Sequence, residues 1–337
     1  MKEKNYNLEL IRTISFILVV VIHVTNYYCR AFGKISVGEY TFSLVLDTFA
    51  RVSVPCFFML SGALLLGREE PMEKSWMRML RFFPPLIVWS AVYYFWNLYY
   101  MHTEVRLEEV FWVPTEPHLW YLYAMIPIYL VLPFFQIMAR HFSVRMEKAF
   151  LIVGAIAVLV NWVLKVLGGE LYYDVPLFGD RVYDFYFFLG YYLKKHRDYK
   201  WFSTKNLAWI FIVSNVLNVG ITAGMSILKE DHIEHTLEYG FPLIIISSAA
   251  FFLLMLKLGN GKMKLKERTK KWIDSWCGCS LGIYFIHILF LDMYKKHLEA
   301  EEVSAYLAVP VLTIGILLVS YICVKGIRKI PGGKKIT

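Results

Sequence analysis

The chain has 337 residues, of which 58% are apolar and 17% aromatic, with a net charge of +9 and a mean hydropathy of +0.48. The apolar residues come in blocks of about 20, the length that crosses a hydrocarbon core of ~30 Å, so a soluble domain is excluded. The blocks do not alternate as barrel strands would, and the basic residues lie in alternate loops, which indicates membrane topology rather than nucleic-acid binding. We therefore predict an all-α polytopic membrane protein, one transmembrane domain over residues 1–337, with no nucleic-acid partner.

Ten apolar blocks are candidates for membrane-spanning helices, and the sixth is the shortest. The charged residues before the first block are reminiscent of a signal peptide. We count that block as a span because it is too long for a typical signal sequence and no small-residue cleavage site follows. The predicted spans are Leu8–Tyr28, Thr41–Leu66, Leu80–Tyr100, Leu119–Met138, Ala149–Leu167, Val182–Leu193, Leu207–Leu228, Tyr239–Leu256, Trp276–Tyr294 and Val303–Val324.

The charges of the connecting loops predict the orientation. If the N-terminus is cytoplasmic, the inside segments hold 26 Lys and Arg residues, with Arg81 at the start of the third span counted among them, and the outside loops hold 7. An excess of basic residues in cytoplasmic loops is the usual mark of orientation. Leaving out the short sixth span would destroy this alternation. We predict ten spans with both termini in the cytoplasm.

The first span carries Glu9, Arg12 and His23 within an otherwise apolar run. Arg12 and His23 lie on one face of a helix, roughly 16 Å apart along its axis, because eleven residues make almost three turns. Ionisable side chains inside a membrane helix are costly and by default indicate a functional site. The alternative is that Arg12 is a positive-inside anchor and His23 an interfacial residue. Because both side chains lie on the same face of the helix, we favour the interpretation as a functional site.

The second span contains two further polar features. Asp47 and Arg51 are four residues apart, so they can form an ion pair within the helix. That pair has either a structural or a binding role. Near the inner end, Ser61-Gly62 would let a second helix or an extended ligand approach closely. The sequence leaves both alternatives open.

Arg78 and Arg81 lie one helical turn apart at the predicted cytoplasmic interface, where the third span begins. Paired arginines there can hold phosphate groups in bidentate fashion or anchor the protein to anionic lipid headgroups. The sequence alone favours the lipid anchor.

Two more spans carry histidines. His118 begins the fourth span at the predicted outer surface, in an aromatic stretch that includes Trp120. Aromatic residues are expected at any membrane interface, although beside a histidine they could also stack against a sugar ring. In the ninth span, Ser280, Tyr284 and His287 follow one another at helical spacing. His287 is near the middle of the membrane, where a packed, hydrogen-bonded histidine is the more common case.

The five cysteines show no pattern of metal binding. Most lie within or beside apolar spans, and Cys277-Gly-Cys279 lacks the spacing of a zinc knuckle. We predict no metal site, no disulfide framework and no bound cofactor.

Taken together, these motifs resemble the family-3 integral-membrane acyltransferases, and the resemblance covers essentially the whole chain. Glu9 is a mild departure, since many relatives have Asp there. The matching segments are Glu9 and Arg12 with His23 eleven residues on, RVSVPCFFMLSG from Arg51 to Gly62, the R-x-x-R of Arg78 and Arg81 before Pro84-Pro85, HLWYL from His118, and SLGIYFIH ending at His287.

The resemblance implies a membrane enzyme that takes an acyl group from cytoplasmic acyl-CoA and attaches it to a hydroxyl of a surface glycan or lipid-linked saccharide. Acetyl-CoA is the expected co-substrate, and a bacterial cytoplasmic membrane is the expected location. The amino-acid sequences of these motifs are most similar to those of the branch that acts on surface polysaccharides. Neither the acceptor nor a homo-oligomeric state is specified by the sequence.

The resemblance also implies roles for individual residues. His23 is expected to act as the general base, with Arg12 and Glu9 in the same catalytic group, and the residues expected at the CoA end are Arg78, Arg81, Ser61 and Gly62. Direct transfer and an acyl-His23 relay both remain open. The expected acceptor-binding residues are His118, Trp120, Arg51, Asp47, Tyr284 and His287.

The rival interpretation is a transporter, or an uptake module similar to the membrane part of the vancomycin-resistance serine racemases. Intramembrane charges and ten spans are equally compatible with transport. The two halves of the chain show no inverted repeat, which disfavours this alternative.

Overall fold

The computed structural model describes residues 5–103, 106–110, 112–173, 175, 177–178, 182–258 and 265–337. It is 77% helical, and these residues contain no strand, which confirms the all-α prediction. The α-helices in the described ranges are α1 (Tyr6–Cys29), α2 (Val37–Ala50), α3 (Ser53–Leu65), α4 (Met72–Leu80), α5 (Phe83–Trp96), α6 (Trp120–His141), α7 (Val144–Val166), α8 (Tyr183–Lys195), α9 (Thr204–Lys229), α10 (Pro242–Leu258), α11 (Glu267–His297) and α12 (Ala305–Ile327).

Eight helical segments of the described chain are long and apolar enough to cross a membrane. The prediction of a polytopic membrane protein is thereby confirmed, while the side on which each loop lies stays a prediction. The eight segments are Tyr6–Cys29, Val37–Leu65, Pro117–His141, Val144–Val166, Thr204–Lys229, His235–Leu258, Glu267–His297 and Ala305–Ile327.

The predicted third and sixth spans are helical but do not reach these limits. The third is α5, which has 14 residues and continues as a π-helical turn over Asn97–Met101. The sixth is α8, which has 13 residues. At 1.5 Å per residue α8 extends about 20 Å, less than a hydrocarbon core. Its fully buried aromatic side chains, Tyr186 and Phe187, show that it is packed mainly against other helices.

α1 lies between two hydrophobic cores. Leu8, Ile11 and Val19 belong to one core, whereas Phe16 and Val20 belong to the other. At 100° per residue these two sets occupy neighbouring sectors of the helix, and the stripe of the first span lies along the boundary between them. α1 contacts α2, α3, α10, α11 and α12, which makes it the central helix of the bundle.

The predicted second span is divided into α2 and α3. α2 begins with a capping box formed by Ser36 and Glu39 and is capped at its C-terminus by Arg51. α3 starts two residues later, and Pro55 lies in its first turn, where a missing N–H costs no helical hydrogen bond. The break places the Arg51 side chain at the junction of two helices, inside the membrane-spanning segment.

A close crossing of α3 and α8 depends on two glycines. A Cβ built on Gly62 would lie 1.7 Å from the carbonyl oxygen of Phe187, and one on Gly190 would lie 2.0 Å from that of Met59. Any side chain at either position would push the backbones apart. Of the two alternatives for Gly62, the structure shows the helix-packing one.

Candidate active site

A cavity of about 780 Å³ follows α1 through the bundle. Arg12, His23, Asn26 and Arg30 line it in turn along the chain. From Arg12 to Arg30 the helix rises about 27 Å, nearly the ~30 Å thickness of a hydrocarbon core. The cavity-lining residues therefore extend along nearly the whole length of this membrane-spanning helix.

The Arg12 end of the cavity combines one ion pair with small polar groups. Arg12 Nη1 lies 3.1 Å from Glu9 Oε2, one helical turn earlier. Arg12 lines the cavity and so do Ser61 and Ser280, whereas the cavity walls do not include Glu9 or Gly62 among the described residues. Glu9 orients the Arg12 guanidinium, and Ser61 is the member of the Ser61-Gly62 pair that a ligand can reach.

Three histidines from distant parts of the chain meet near the middle of the cavity. The ring centres of His23 and His287 are 5.0 Å apart, those of His118 and His287 5.5 Å, and those of His23 and His118 6.4 Å. His23 and His118 line the cavity. The three residues form a histidine cluster, by which we mean His23, His118 and His287.

His118 is buried rather than at the outer surface, where its predicted position would put it. It is 3% exposed, and its ring packs edge-on against Tyr93 at 4.9 Å between centres. Tyr284 donates its hydroxyl hydrogen to the carbonyl oxygen of His118 and lines the cavity next to it. His118 and Tyr284 are thus brought together as the predicted acceptor-binding group requires, but deeper in the protein.

A partly buried carboxyl group fixes the turn that carries His118. Asn97 Nδ2 donates to the Thr115 carbonyl oxygen at 3.1 Å and to Glu116 Oε2 at 3.2 Å. Burial, with the nearby Asp292 carboxylate, raises the pKa of Glu116 to about 7. Glu116 therefore changes its charge close to neutral pH, directly before the Pro117-His118 turn.

His287 lies behind His23 instead of in the cavity wall. It is 1% exposed, and its Nδ1 is 2.7 Å from the carbonyl oxygen of Tyr284 and 3.2 Å from that of Ile283. Its side chain is not among the described residues that line the cavity. The structure thus brings His287 next to the predicted base but gives it no direct access to a molecule in the cavity.

Aromatic side chains form the wall opposite α1. Trp120 stacks on Tyr183 with ring centres 4.9 Å apart and an interplanar angle of 26°. Tyr239 packs against Trp120 at 6.2 Å, and Tyr121 and Trp162 extend the same wall. Flat aromatic faces beside polar groups suit a ligand that has both ring faces and hydroxyls.

Arg51 reaches the cavity while its partner stays behind it. Arg51 Nε lies 2.8 Å from Asp47 Oδ2, and Asp47 is fully buried and accepts a second hydrogen bond from Thr25 Oγ1 at 3.1 Å. Asp47 is not among the described cavity-lining residues, whereas Arg51 is. The ion pair therefore holds one guanidinium group at the cavity surface, with its carboxylate buried behind it.

Arg78 and Arg81, predicted to lie at the cytoplasmic interface, have different surroundings. Arg78 forms a bidentate pair with Glu70, and Gln136 Nε2 donates to the same carboxylate at 3.2 Å. The hydrogen bonds from Arg78 lower the pKa of Glu70 to about 2. Arg81 is exposed at the end of α4, next to Phe82, which lines the cavity. Among the described residues, neither arginine lines the cavity itself.

Two ion pairs flank the other end of the cavity. Arg30 Nε lies 2.8 Å from Glu234 Oε1, and Lys165 Nζ lies 2.9 Å from Glu238 Oε1. All four residues line the cavity, and both carboxylates come from the connection between α9 and α10. These residues were missed in the sequence because the partners are far apart along the chain. The only signal was the number of acidic residues in that loop.

The described residues offer no obvious place for a metal ion or a disulfide. No group of three or more His, Cys, Asp or Glu side chains in the described ranges could hold a metal, so the histidine cluster lacks the geometry of a metal site. The five cysteines are free, and four of them are buried. What the site offers is a row of imidazole, guanidinium and hydroxyl groups along one passage.

Comparison with known proteins gives one match. The sequence model of acyltransferase family 3, described as an acyltransferase domain, matches residues 5–325. No curated protein and no solved structure matches the chain.

Proposed function

The chain belongs to acyltransferase family 3, and on that premise we propose that it is a membrane O-acyltransferase. Its donor would be cytoplasmic acyl-CoA, with acetyl as the first candidate for the acyl group. Its acceptor would be a hydroxyl of a glycan outside the cytoplasm, free or lipid-linked, in a bacterial cytoplasmic membrane. The observation that carries this proposal is the cavity that follows α1 from Arg12 past His23 to Arg30.

The two ends of the cavity suit the two substrates. In the predicted orientation the Arg12 end faces the cytoplasm, and cationic groups there would attract the phosphates of CoA. The distance of roughly 16 Å from Arg12 to His23 leaves room for an extended pantetheine arm. The aromatic wall around Trp120 and Tyr183 would hold the sugar of the acceptor from the other side.

His23 would act as the base of the transfer. A neutral imidazole nitrogen takes the proton of the acceptor hydroxyl as its oxygen attacks the thioester carbonyl carbon. The new C–O bond forms and the C–S bond breaks. The proton then passes from His23 to the sulfur of the leaving CoA, so that the products are an ester and free CoA. Arg51 and Tyr284 line the cavity beside this position and would orient the acceptor.

The test is acyl transfer by the purified full chain in lipid nanodiscs. Acetyl-labelled acetyl-CoA is supplied with a panel of glucose and N-acetylglucosamine oligosaccharides, and CoA release and labelled oligosaccharide are measured together. We expect both with the wild type and with His141→Ala, whose histidine is exposed at the end of α6. We expect neither with His23→Ala.

Two results would count against the proposal. Normal acylation by a folded His23→Ala variant would show that His23 is not the base. Uptake of an oligosaccharide into sealed vesicles without any release of CoA would favour the transport interpretation.

A further inference from the structure

The hydrogen bonds of His287 fix the position of its proton. Its Nδ1 faces the carbonyl oxygens of Tyr284 and Ile283, and a carbonyl oxygen can only accept a hydrogen bond. Nδ1 therefore carries the hydrogen. In the neutral ring this leaves the lone pair on Nε2, which makes Nε2 an acceptor.

That acceptor is buried and unused. Nε2 of His287 has no hydrogen-bond partner in the part of the chain that the structure describes. A buried polar atom without a partner costs free energy, so it calls for an explanation. The imidazole ring nearest to it belongs to His23, with 5.0 Å between ring centres, and His118 follows at 5.5 Å.

The spacing of the two rings suits one hydrogen bond. Ring centres 5.0 Å apart allow an N–H···N distance of about 2.9 Å once the two nitrogens point at each other. The rings are tilted by 54° and not yet aligned. Catalytic hydrogen bonds often tighten only when substrate is bound. The His23 ring lines the cavity, so a rotation that aligns the two nitrogens would take place at the cavity surface.

His118 also has ring nitrogens without a hydrogen-bond partner in the described residues, but its ring centre is farther from that of His23, at 6.4 Å compared with 5.0 Å for His287. Besides His287, the titratable or charged groups with the strongest electrostatic interaction with His23 are His118, Lys295 on α11 and Arg51 at the end of α2. Two of these are cations, and the Asp47 carboxylate is engaged by Arg51. His287 is the group placed to accept a hydrogen from His23.

We propose that His287 is a positioning residue for His23, and this inference rests on the proposed function. Nε2 of His287 accepts the N–H of one His23 nitrogen, so the lone pair of the other nitrogen faces the acceptor hydroxyl in the cavity. When His23 takes the hydroxyl proton it becomes an imidazolium with two N–H groups. One of them stays bonded to His287 until the proton passes to the CoA sulfur. His287 thus does what a buried carboxylate does behind a catalytic histidine.

Two substitutions separate this role from a purely structural one. His287→Asn keeps a donor for the carbonyl oxygens of α11 but places no acceptor at the Nε2 position. His287→Gln places an amide oxygen there. We expect His287→Asn to lower kcat by about 10- to 100-fold with a KM for acetyl-CoA within about twofold of wild type. We expect His287→Gln to restore most of the rate.

A pH profile of kcat supplies the readout that a structural role would not change. In His287→Asn the acid limb should move to lower pH, because the His23 imidazolium has lost the acceptor that stabilised it. A wild-type rate in His287→Asn, or equal losses in both variants with an unmoved acid limb, would overturn the inference. If His23→Ala is inactive, the proposed function stands even when the inference about His287 fails. If His23→Ala is active, the proposed function itself fails, because His23 is then not the general base.

Discussion

At the residue scale, the paired arginines before α5 show that similar sequence positions can have different surroundings. Arg78 and Arg81 are one turn apart, and both were predicted to serve the CoA end. The Arg78 guanidinium donates two hydrogen bonds to the carboxylate of Glu70, whose side chain is 4% exposed. It is therefore already engaged. Arg81 is exposed beside the cavity-lining Phe82. Of the pair, Arg81 is the one available to a phosphate.

This difference predicts that one substitution affects acetyl-CoA binding and the other affects stability. Arg81→Ala should raise the KM for acetyl-CoA on the order of tenfold, the value of a charge-assisted hydrogen bond, and leave the melting temperature unchanged. Arg78→Ala should lower the melting temperature by several degrees, because it removes the bidentate partner of the buried Glu70 carboxylate and leaves it the longer ion pair with Lys74 Nζ, at 3.5 Å. Steady-state kinetics and thermal unfolding in detergent measure the two effects. Arg145→Ala, another exposed arginine on the predicted cytoplasmic side, is the control. An unchanged KM in Arg81→Ala would return Arg81 to lipid anchoring.

Glu116 predicts a pH dependence of stability. Its pKa in the folded protein, about 7, lies above the ordinary 4.5, so its contribution to stability is complete below about pH 4.5. That contribution is lost as the pH rises through 7, because the partly buried carboxyl group must then ionise. We expect the melting temperature of the wild type to fall between pH 5 and pH 8 more steeply than that of Glu116→Gln. Equal slopes for both proteins would contradict this assignment.

At the element scale, the crossing of α3 and α8 shows why a 13-residue helix can hold its place in a membrane bundle. Gly62 and Gly190 bring the two backbones into direct contact, so α8 is supported by protein along its length. Hydropathy predicts the α8 helix because hydropathy depends only on residues that are close together in the sequence. It does not reveal the contact, because Gly62 and Phe187 are distant in the sequence.

The crossing predicts that the effect of a glycine substitution on the melting temperature depends on whether the glycine lies at the contact between α3 and α8. Gly62→Ala and Gly190→Ala should each lower the melting temperature markedly, since each added Cβ would lie within about 2 Å of a backbone oxygen. Gly220→Ala, in α9, is the matched control, because a Cβ there meets no atom within 4 Å. That substitution should be neutral or slightly stabilising. A melting temperature for Gly62→Ala equal to that of Gly220→Ala would contradict the packing described here.

At the scale of the whole molecule, the sequence predicted what depends on neighbouring residues and missed what depends on distant ones. The helical fold and the stripe of Arg12 and His23 follow from hydropathy and from 3.6-residue periodicity. The histidine cluster joins three helices or turns, and no local pattern could show that His287 lies 5.0 Å from His23. The same holds for Glu70, whose pairing with Arg78 depends on the fold of a whole loop.

The central claim is that the cavity carries an acyl group from a donor on one side of the membrane to an acceptor on the other. The direct measurement uses sealed proteoliposomes with the full chain in one orientation and an oligosaccharide identified by the acceptor panel inside. Labelled acetyl-CoA, which does not cross the bilayer, is added only to the side of the Arg12 end. We predict labelled oligosaccharide inside the vesicles with wild-type protein and none with His23→Ala. Acylation that requires acetyl-CoA and oligosaccharide on the same side would contradict the account.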